Sequence, residues 1–284
     1  MNWYWIAAFI LCLACWSFLV EPNWPRLRRV SLRGQRKLVH PISILHLSDI
    51  HLVGTSGFKH YFFQELSMLN PDLIVVTGDV IDHDSGIETA RKYLSGLRAR
   101  YGTYVILGNH DYYDYHIIDN IRYYTGFGKK GLHENDVHRF VQAMNGIGAH
   151  VLVNDSVELK IHGNPVLICG TDDPITRKID FERTLRRMTA KTFNILLMHQ
   201  LDGVLKLSHK GVDLICSGHT HGGQLRIPFV GPLWRDSKMP RRYLDGLHTY
   251  KGIHVLVSRG MGAGRHLIPR FACRPEAIWL DVTP

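Results

Sequence analysis

The sequence predicts an α/β fold carried behind one membrane-spanning helix, on three observations. Short apolar runs rich in β-branched residues alternate with longer amphipathic stretches. Clusters of Asp, His, Asn and Gly follow several of those runs, where ligand-binding groups of α/β folds collect. An uncharged apolar run fills residues 2–20. The 284 residues are 45% hydrophobic and 21% charged, an ordinary globular composition that excludes a disordered, collagen-like or low-complexity chain. A net charge of +9 suits an anionic partner (nucleic acid, an acidic membrane surface or a phosphorylated substrate) without choosing among them. The five cysteines, Cys12, Cys15, Cys169, Cys216 and Cys273, are odd in number and widely spaced. That argues against a disulfide framework and for a reducing compartment.

Residues 2–20 make about 28 Å of helix, close to a bilayer core of about 30 Å. Trp3 and Trp5 stand at one end, and Trp16 and Trp24 at or beyond the other, as interfacial belts do. No Lys or Arg precedes the run and no small-x-small site follows it, so a retained anchor is expected rather than a cleaved signal peptide. Residues 21–40 read as a basic juxtamembrane linker, with Arg26, Arg28, Arg29, Arg33, Arg36 and Lys37. That charge bias places the C-terminal domain, 41–284, on the cytoplasmic side of the inner membrane and favours anionic lipid nearby.

Within 41–284 the strand-like runs are 42–47, 73–77, 104–107, 166–169, 193–198 and 214–216, then 225–227, 254–258 and 277–282. Helical patterns lie at 61–69, 87–99, 137–146, 180–189 and 203–208. Five polar clusters follow runs: Ser48-Asp49-Ile50-His51, Gly78-Asp79-Val80-Ile81-Asp82, Gly108-Asn109-His110-Asp111, His199-Gln200, and 218–224 (GHTHGGQ). Asp49/His51 and His219/His221 are pairs two apart, which in extended backbone point the same way. Read singly, Asp49 or Asp79 would be a turn or cap residue, and Asn109 a turn residue. Five such loops together are not explained that way. The inventory of carboxylate, imidazole and one amide, without thiolate, suits Mn, Fe or Zn. It is too large for one ion and about enough for two, an arrangement able to clamp an in-line phosphoryl displacement.

The order D-x-H, G-D-x-x-D, G-N-H-D, H, G-H-x-H resembles the calcineurin-like metallophosphoesterase superfamily over about 42–282. Glu21-Pro22-Asn23-Trp24, 218–228 (GHTHGGQLRIP) and Cys273-Arg274-Pro275-Glu276 resemble its membrane-associated bacterial phosphodiesterase branch. That branch includes the chlamydial-type UDP-2,3-diacylglucosamine pyrophosphatase of lipid A synthesis. The resemblance implies a four-layer α/β/β/α sandwich and two divalent ions, with manganese the first expectation. It implies one ion on Asp49, His51 and His221, the other on Asn109, His199 and His219, and Asp79 between them. It makes His110 the residue that protonates the leaving oxygen or stabilises charge on the phosphate, and Asp82 the residue that orients His110. His83 and Asp111 stand where the protein Ser/Thr phosphatases carry Arg and Glu, which speaks against a phosphoprotein substrate.

A phosphorylated lipid or sugar nucleotide is the expected substrate, with UDP-2,3-diacylglucosamine fitting the anchor, the basic loops and the diphosphate chemistry. Other envelope-lipid or nucleotide phosphoesters are the alternative. The tyrosine-rich stretch 112–135 reads either as an insert capping the site or as a packed helix. Arg241, Arg242, Arg265 and Arg270 offer guanidinium forks for phosphate, or a solvated basic face. No basic-aromatic nucleic-acid module is seen, so nucleic acid is not expected as a partner. A scaffold without chemistry is disfavoured by the complete ligand set.

Overall fold

The computed structural model describes residues 3–54, 57–115, 133–176, 178–207, 211–262 and 269–284. Helix α1 (Trp3–Cys15) continues through a π turn at Trp16–Val20 and a 3-10 turn at Glu21–Asn23. This 21-residue stretch is long and apolar enough to cross a membrane.

The body follows in chain order: β1 (Arg26–Leu32), β2 (Ile42–Leu47), α2 (Gly57–Ser67), β3 (Leu73–Thr77), α3 (Ile87–Ser95), β4 (Thr103–Ile106) and α4 (Asn109–Tyr112). Next come β5 (Tyr113–Asp114), β6 (His133–Glu134), α5 (Val137–Gly146), β7 (Ala149–Val151), β8 (Asp155–Ile161), β9 (Asn164–Gly170) and α6 (Phe181–Leu185). The chain ends with β10 (Phe193–Leu197), β11 (Leu214–Ser217), β12 (Arg226–Ile227), β13 (Gly231–Pro232), β14 (Gly246–Tyr250), β15 (Ile253–Val257) and β16 (Glu276–Val282).

Two mixed six-stranded sheets result, ordered β1-β16-β2-β3-β4-β7 and β14-β15-β11-β10-β9-β8. The central strands of each are parallel, so their carboxyl ends share one edge. Alternation sorts the side chains. Ile42, Ile44, Leu73 and Val75 meet Phe193, Ile195, Val166 and Ile168 of the facing sheet. Leu45, Leu47, Ile74 and Val76 pack instead with Phe62, Leu94 and Phe140 of α2, α3 and α5. Leu196, Ile215 and Val257 pack on the far side with Leu185, Val204 and Tyr243. Each such fully buried Leu, Ile or Val contributes about 1.5–3 kcal/mol. The layers are therefore α/β/β/α, as expected.

The expected linker is corrected in part: residues 26–32 of the 21–40 stretch are β1, paired in parallel with β16 from Arg26↔Glu276 to Leu32↔Val282. Its arginines hid it. Arg26 and Arg28 lie two apart and reach the fully buried Glu276 at 3.2 and 3.3 Å, while Arg29 stacks on Trp279. The half-polar outer strands β8 and β14 were not predicted either. The helix expected over 87–99 stops at Ser95, before Gly96. The one over 180–189 is five residues, Phe181–Leu185, and of 203–208 the residues 203–206 belong to a 3-10 turn, Leu201–Lys206.

His46 of β2 is fully buried between the sheets, with Nε2 2.8 Å from Thr77 Oγ1. Burial drops its pKa to about 3. The unfolded chain therefore takes up a proton near pH 6.5 that the folded chain refuses down to about 3. Stability falls as pH falls through that window, by about 1.4 kcal/mol per unit. Compared with a His46→Gln variant by denaturant unfolding in detergent, the wild type should lose relative stability steadily from pH 6 to 4. A difference independent of pH would assign the acid response to other groups.

Candidate metal centre

The carboxyl ends of β2, β3 and β4 in one sheet meet those of β10 and β11 in the other, and the five polar loops converge there. The loops after β2 and β3 stay zipped: Asp49 N–H donates to Gly78 O and His51 N–H to Asp79 O, both at 3.0 Å. Asp49 then crosses the seam, its carboxylate accepting from His219 N–H at 2.9 Å. Asp49, His51, Asp79, His219 and His221 all have left-handed φ, between 48° and 67°. Each such non-glycine residue costs on the order of 1–3 kcal/mol, strain that functional sites retain. Thus the pairs two apart converge through left-handed turns, not through the extended backbone the sequence suggested. Gly78 has φ +81°, and a Cβ there would lie 2.7 Å from Gly108 N and His199 Nδ1. The loops close this tightly only without that atom.

Three sets of side chains gather, each with ligand atoms within 4.8 Å of one another: Asp49, His51 and His221; Asp79, His199 and His219; and His51, Asp79 and His110. Asp79 and His51 join the sets. His221 Nε2 lies 3.6 Å from Asp49 Oδ1, His199 Nε2 3.1 Å from Asp79 Oδ2, and His51 Nε2 3.9 Å from the same oxygen. Asp82 Oδ1 accepts from His51 Nδ1 at 2.5 Å and faces His110 Nδ1 at 2.8 Å. It holds the tautomer of His51 as well as meeting His110. Asn109, first residue of α4, is buried.

The electrostatics call for positive charge at the centre. Burial pushes the Asp79 carboxyl up, but His199, His110 and His51 outweigh it and hold it well below the usual range. His199 Nδ1–H donates to Thr77 O at 2.7 Å, a carbonyl that can only accept. Its Nε2 therefore faces Asp79 with a lone pair unless a proton or cation lies between. Burial opposes the proton, yet the Asp79 charge drives the imidazole to about 10. A divalent cation would supply the same charge. Asn109 Oδ1 is buried and without a hydrogen bond. Hard oxygen and imidazole donors of this kind fit two divalent ions, and Asp79 stands where both would share it. His221 is less free: buried Arg270 places Nη2 3.2 Å from its Nδ1. A guanidinium only donates, so a cation on His221 Nε2 requires that contact to lengthen.

Arg270 is not the phosphate fork the sequence suggested. It is fully buried, and its donors go to Cys273 O, Arg259 O and Gly262 O. Arg241 and Arg242 are exposed and line a cavity of about 420 Å³ with Arg28, Arg226 and Asp245. That cavity adjoins the 221–223 loop through Arg226, whose Nη1 donates to Gly222 O at 2.7 Å. Arg265 lies outside the described residues, as does 116–132 of the tyrosine-rich stretch. The described ends of that stretch pair as β5 and β6, and the Tyr115 ring stands 4.7 Å from that of His110.

Sequence reading missed other contributors. Lys59 Nζ donates to Ile50 O and His51 O at 2.6 and 3.0 Å, tying down the first ligand loop from α2. Asp173, after β9, is fully buried, and its charge acts on His199. Its signal was present as a sixth polar cluster, Thr171-Asp172-Asp173, following the 166–169 run.

The comparisons with known proteins agree with this geometry. The family model for calcineurin-like phosphoesterases matches residues 42–223. An uncharacterised metallophosphoesterase of Bacillus subtilis is 33% identical over 82% of this chain and 76% of its own length. A phosphodiesterase of Escherichia coli is 27% identical, covering 92% of this chain and 90% of its own. A UDP-2,3-diacylglucosamine pyrophosphatase of Chlamydia muridarum is 25% identical, over 75% and 74%. With its ligand clusters at the joined ends of two sheets, the chain belongs to the calcineurin-like phosphoesterase family, whose members are metal-dependent phosphoester hydrolases.

Proposed function

We propose that this enzyme hydrolyses a phosphodiester or diphosphate on a membrane-associated molecule, UDP-2,3-diacylglucosamine with release of UMP being the first candidate. The observation that carries the chemistry is the linked set of ligand clusters, in which His51 belongs with Asp49 and His221 and also with Asp79, and Asp79 belongs with His199 and His219. The apolar Trp3–Asn23 helix and the likeness to a pyrophosphatase of a diacylated sugar nucleotide support the lipid. The likeness to the Escherichia coli phosphodiesterase supports the second reading, a different envelope-lipid or nucleotide diester. Basic residues following the helix support a catalytic domain on the cytoplasmic side of the inner membrane.

Asp49, His51 and His221 would hold one ion, and Asn109, His199 and His219 the other, with Asp79 between. Manganese, iron or zinc suits this set, manganese being preferred. Two such ions lower the pKa of water and offset charge on phosphoryl oxygens. His110 is the residue of this chain that moves a proton. Asp82 fixes its Nδ1 at 2.8 Å, which leaves Nε2 to protonate the leaving oxygen. Asp82 also orients His51 through the same oxygen.

Full-length protein in detergent, stripped of metal, should take up two Mn²⁺ by calorimetric titration. Asp79→Asn should weaken both sites, while His199→Gln should weaken one and lower turnover on the order of 10³-fold. Equal effects of the two variants on both sites would remove Asp79 from its shared position. His110→Ala should keep both ions and lose about 10²–10⁴ in kcat on a substrate with a poor leaving group. The loss should be smaller on bis-p-nitrophenyl phosphate, whose leaving group needs little protonation. An equal loss on both would make His110 a charge stabiliser instead.

The substrate test offers the Mn²⁺-loaded enzyme UDP-2,3-diacylglucosamine beside bis-p-nitrophenyl phosphate. UMP release at far higher kcat/KM is the expected result. Turnover of the artificial diester alone would leave the hydrolase and drop this lipid.

A further inference from the structure

The hairpin of β12 and β13 carries an apolar tip into solvent. Phe229 is fully exposed and Val230 is 62% exposed, and Leu233 and Trp234 just beyond are 55% and 73% exposed. Phe229 holds a left-handed φ of 67°, a costly conformation for an aromatic residue. Four large apolar side chains in one short segment are a patch, and a patch marks an interaction surface.

Two observations say what covers it. Pro228 of the tip lines one cavity of about 320 Å³ with Trp16 and Glu21 from the foot of the apolar helix. Arg26 and Arg274 line the same cavity. The tip therefore stands beside the point where the chain would leave a bilayer. The segment 226–242 is also strongly basic, with Arg226, Arg235, Lys238, Arg241 and Arg242 against Asp236. Arg28, Arg241 and Arg242 share a second cavity with Val230 of the tip. Apolar and tryptophan side chains ringed by arginine match the interface of an anionic bilayer.

We infer that residues 227–234 are a second membrane contact: Phe229 and Val230 enter an anionic phospholipid surface beside the helix foot, and the surrounding arginines meet the headgroups. The segment is joined to the metal centre at its C-terminal end. A Cβ on Gly223, two residues after His221, would lie 2.8 Å from Trp234 O. Asp236 Oδ2 lies 3.5 Å from His219 Nε2. Contact with lipid thus sets the metal centre at headgroup level, favouring amphiphilic phosphates over soluble ones. This selectivity rests on the proposed hydrolysis, whereas the membrane contact does not.

The test uses full-length protein with Cys12→Ser and Cys15→Ser, which leaves the buried cysteines. An environment-sensitive nitrobenzoxadiazole label is placed at Phe229→Cys, or at Met68→Cys beyond α2 as a control. Proteoliposomes of phosphatidylglycerol and phosphatidylcholine carry doxyl lipids as quenchers. Quenching at 229 should exceed that at 68 by about threefold or more and grow with the phosphatidylglycerol fraction, as an interfacial residue requires. Equal, weak quenching at both positions overturns the contact. Blue-shifted emission at 229 that follows protein density and not doxyl lipid overturns it too, assigning the tip to a second copy of this chain. Turnover of bis-p-nitrophenyl phosphate in the same vesicles reads the hydrolase separately. Retained turnover without quenching defeats the contact alone, and quenching without turnover upholds it while defeating the hydrolysis.

Discussion

Three carboxylates, Asp49, Asp79 and Asp82, lie buried around shared histidines at the seam of two sheets. Burying charge is strongly unfavourable unless it is paired and hydrogen-bonded. The rest of the site follows from meeting that requirement. Imidazoles approach from both sheets, two of them converging on one oxygen of Asp82. The Asp49 carboxylate takes a backbone N–H from across the seam. The left-handed residues that aim these groups are individually unfavourable, and the two large cores hold them in place. Cations at the shared Asp79 would complete the compensation that histidine protonation otherwise supplies.

The same logic reaches the membrane side. Buried Arg270 stands next to His221, and its own N–H donates to Ser17 O at the foot of the apolar helix. Glu21, also buried, accepts from Ala272 N–H at 3.1 Å and from Cys273 N–H. The turn ending the helix is thereby bonded into the loop that abuts the metal centre. Just beyond it, β1 closes one sheet and places Arg26 and Arg28 on buried Glu276. What reads in the sequence as an anchor and a linker is bonded at Ser17 and Glu21 to the loop beside the metal centre, and over 26–32 it is a strand of the sheet.

The parts legible in the sequence are those where one residue type has one use. Continuous apolar runs such as 73–77 and 193–197 are buried on both faces and were read correctly. Of the spaced Asp, His and Asn clusters, Asp49, His51, Asp79, His110, His199, His219 and His221 come together in linked groups. Edge elements were not legible, because their side chains answer to particular partners and not to a core. β1 reads as a charge run until Glu276 and Trp279 are seen beneath it. Arg270 reads as a surface fork until its donors are found on three backbone carbonyls. Lys59 belongs to a helix with an ordinary pattern, and only the fold brings it to Ile50 and His51.

Nor does the sequence tell the buried aspartates apart; the supply of backbone donors does. Asp111 accepts from Val80, Ile81 and Gly108 N–H at 2.8–3.0 Å. Three of its lone pairs clamp the second ligand loop to the third. Asp79 accepts one backbone N–H, that of His110 at 2.9 Å, through Oδ1. Its Oδ2 is left facing two imidazoles. Asp82 meets only imidazoles among its described partners. Burial and the Asp79 charge push the Asp111 carboxyl up to about 7 despite its amide donors, whereas His199, His110 and His51 hold Asp79 well below the usual range. Asp111 thus clamps two loops although it lies beside His110 in the sequence, and Asp79 is the carboxylate set among imidazoles from both sheets.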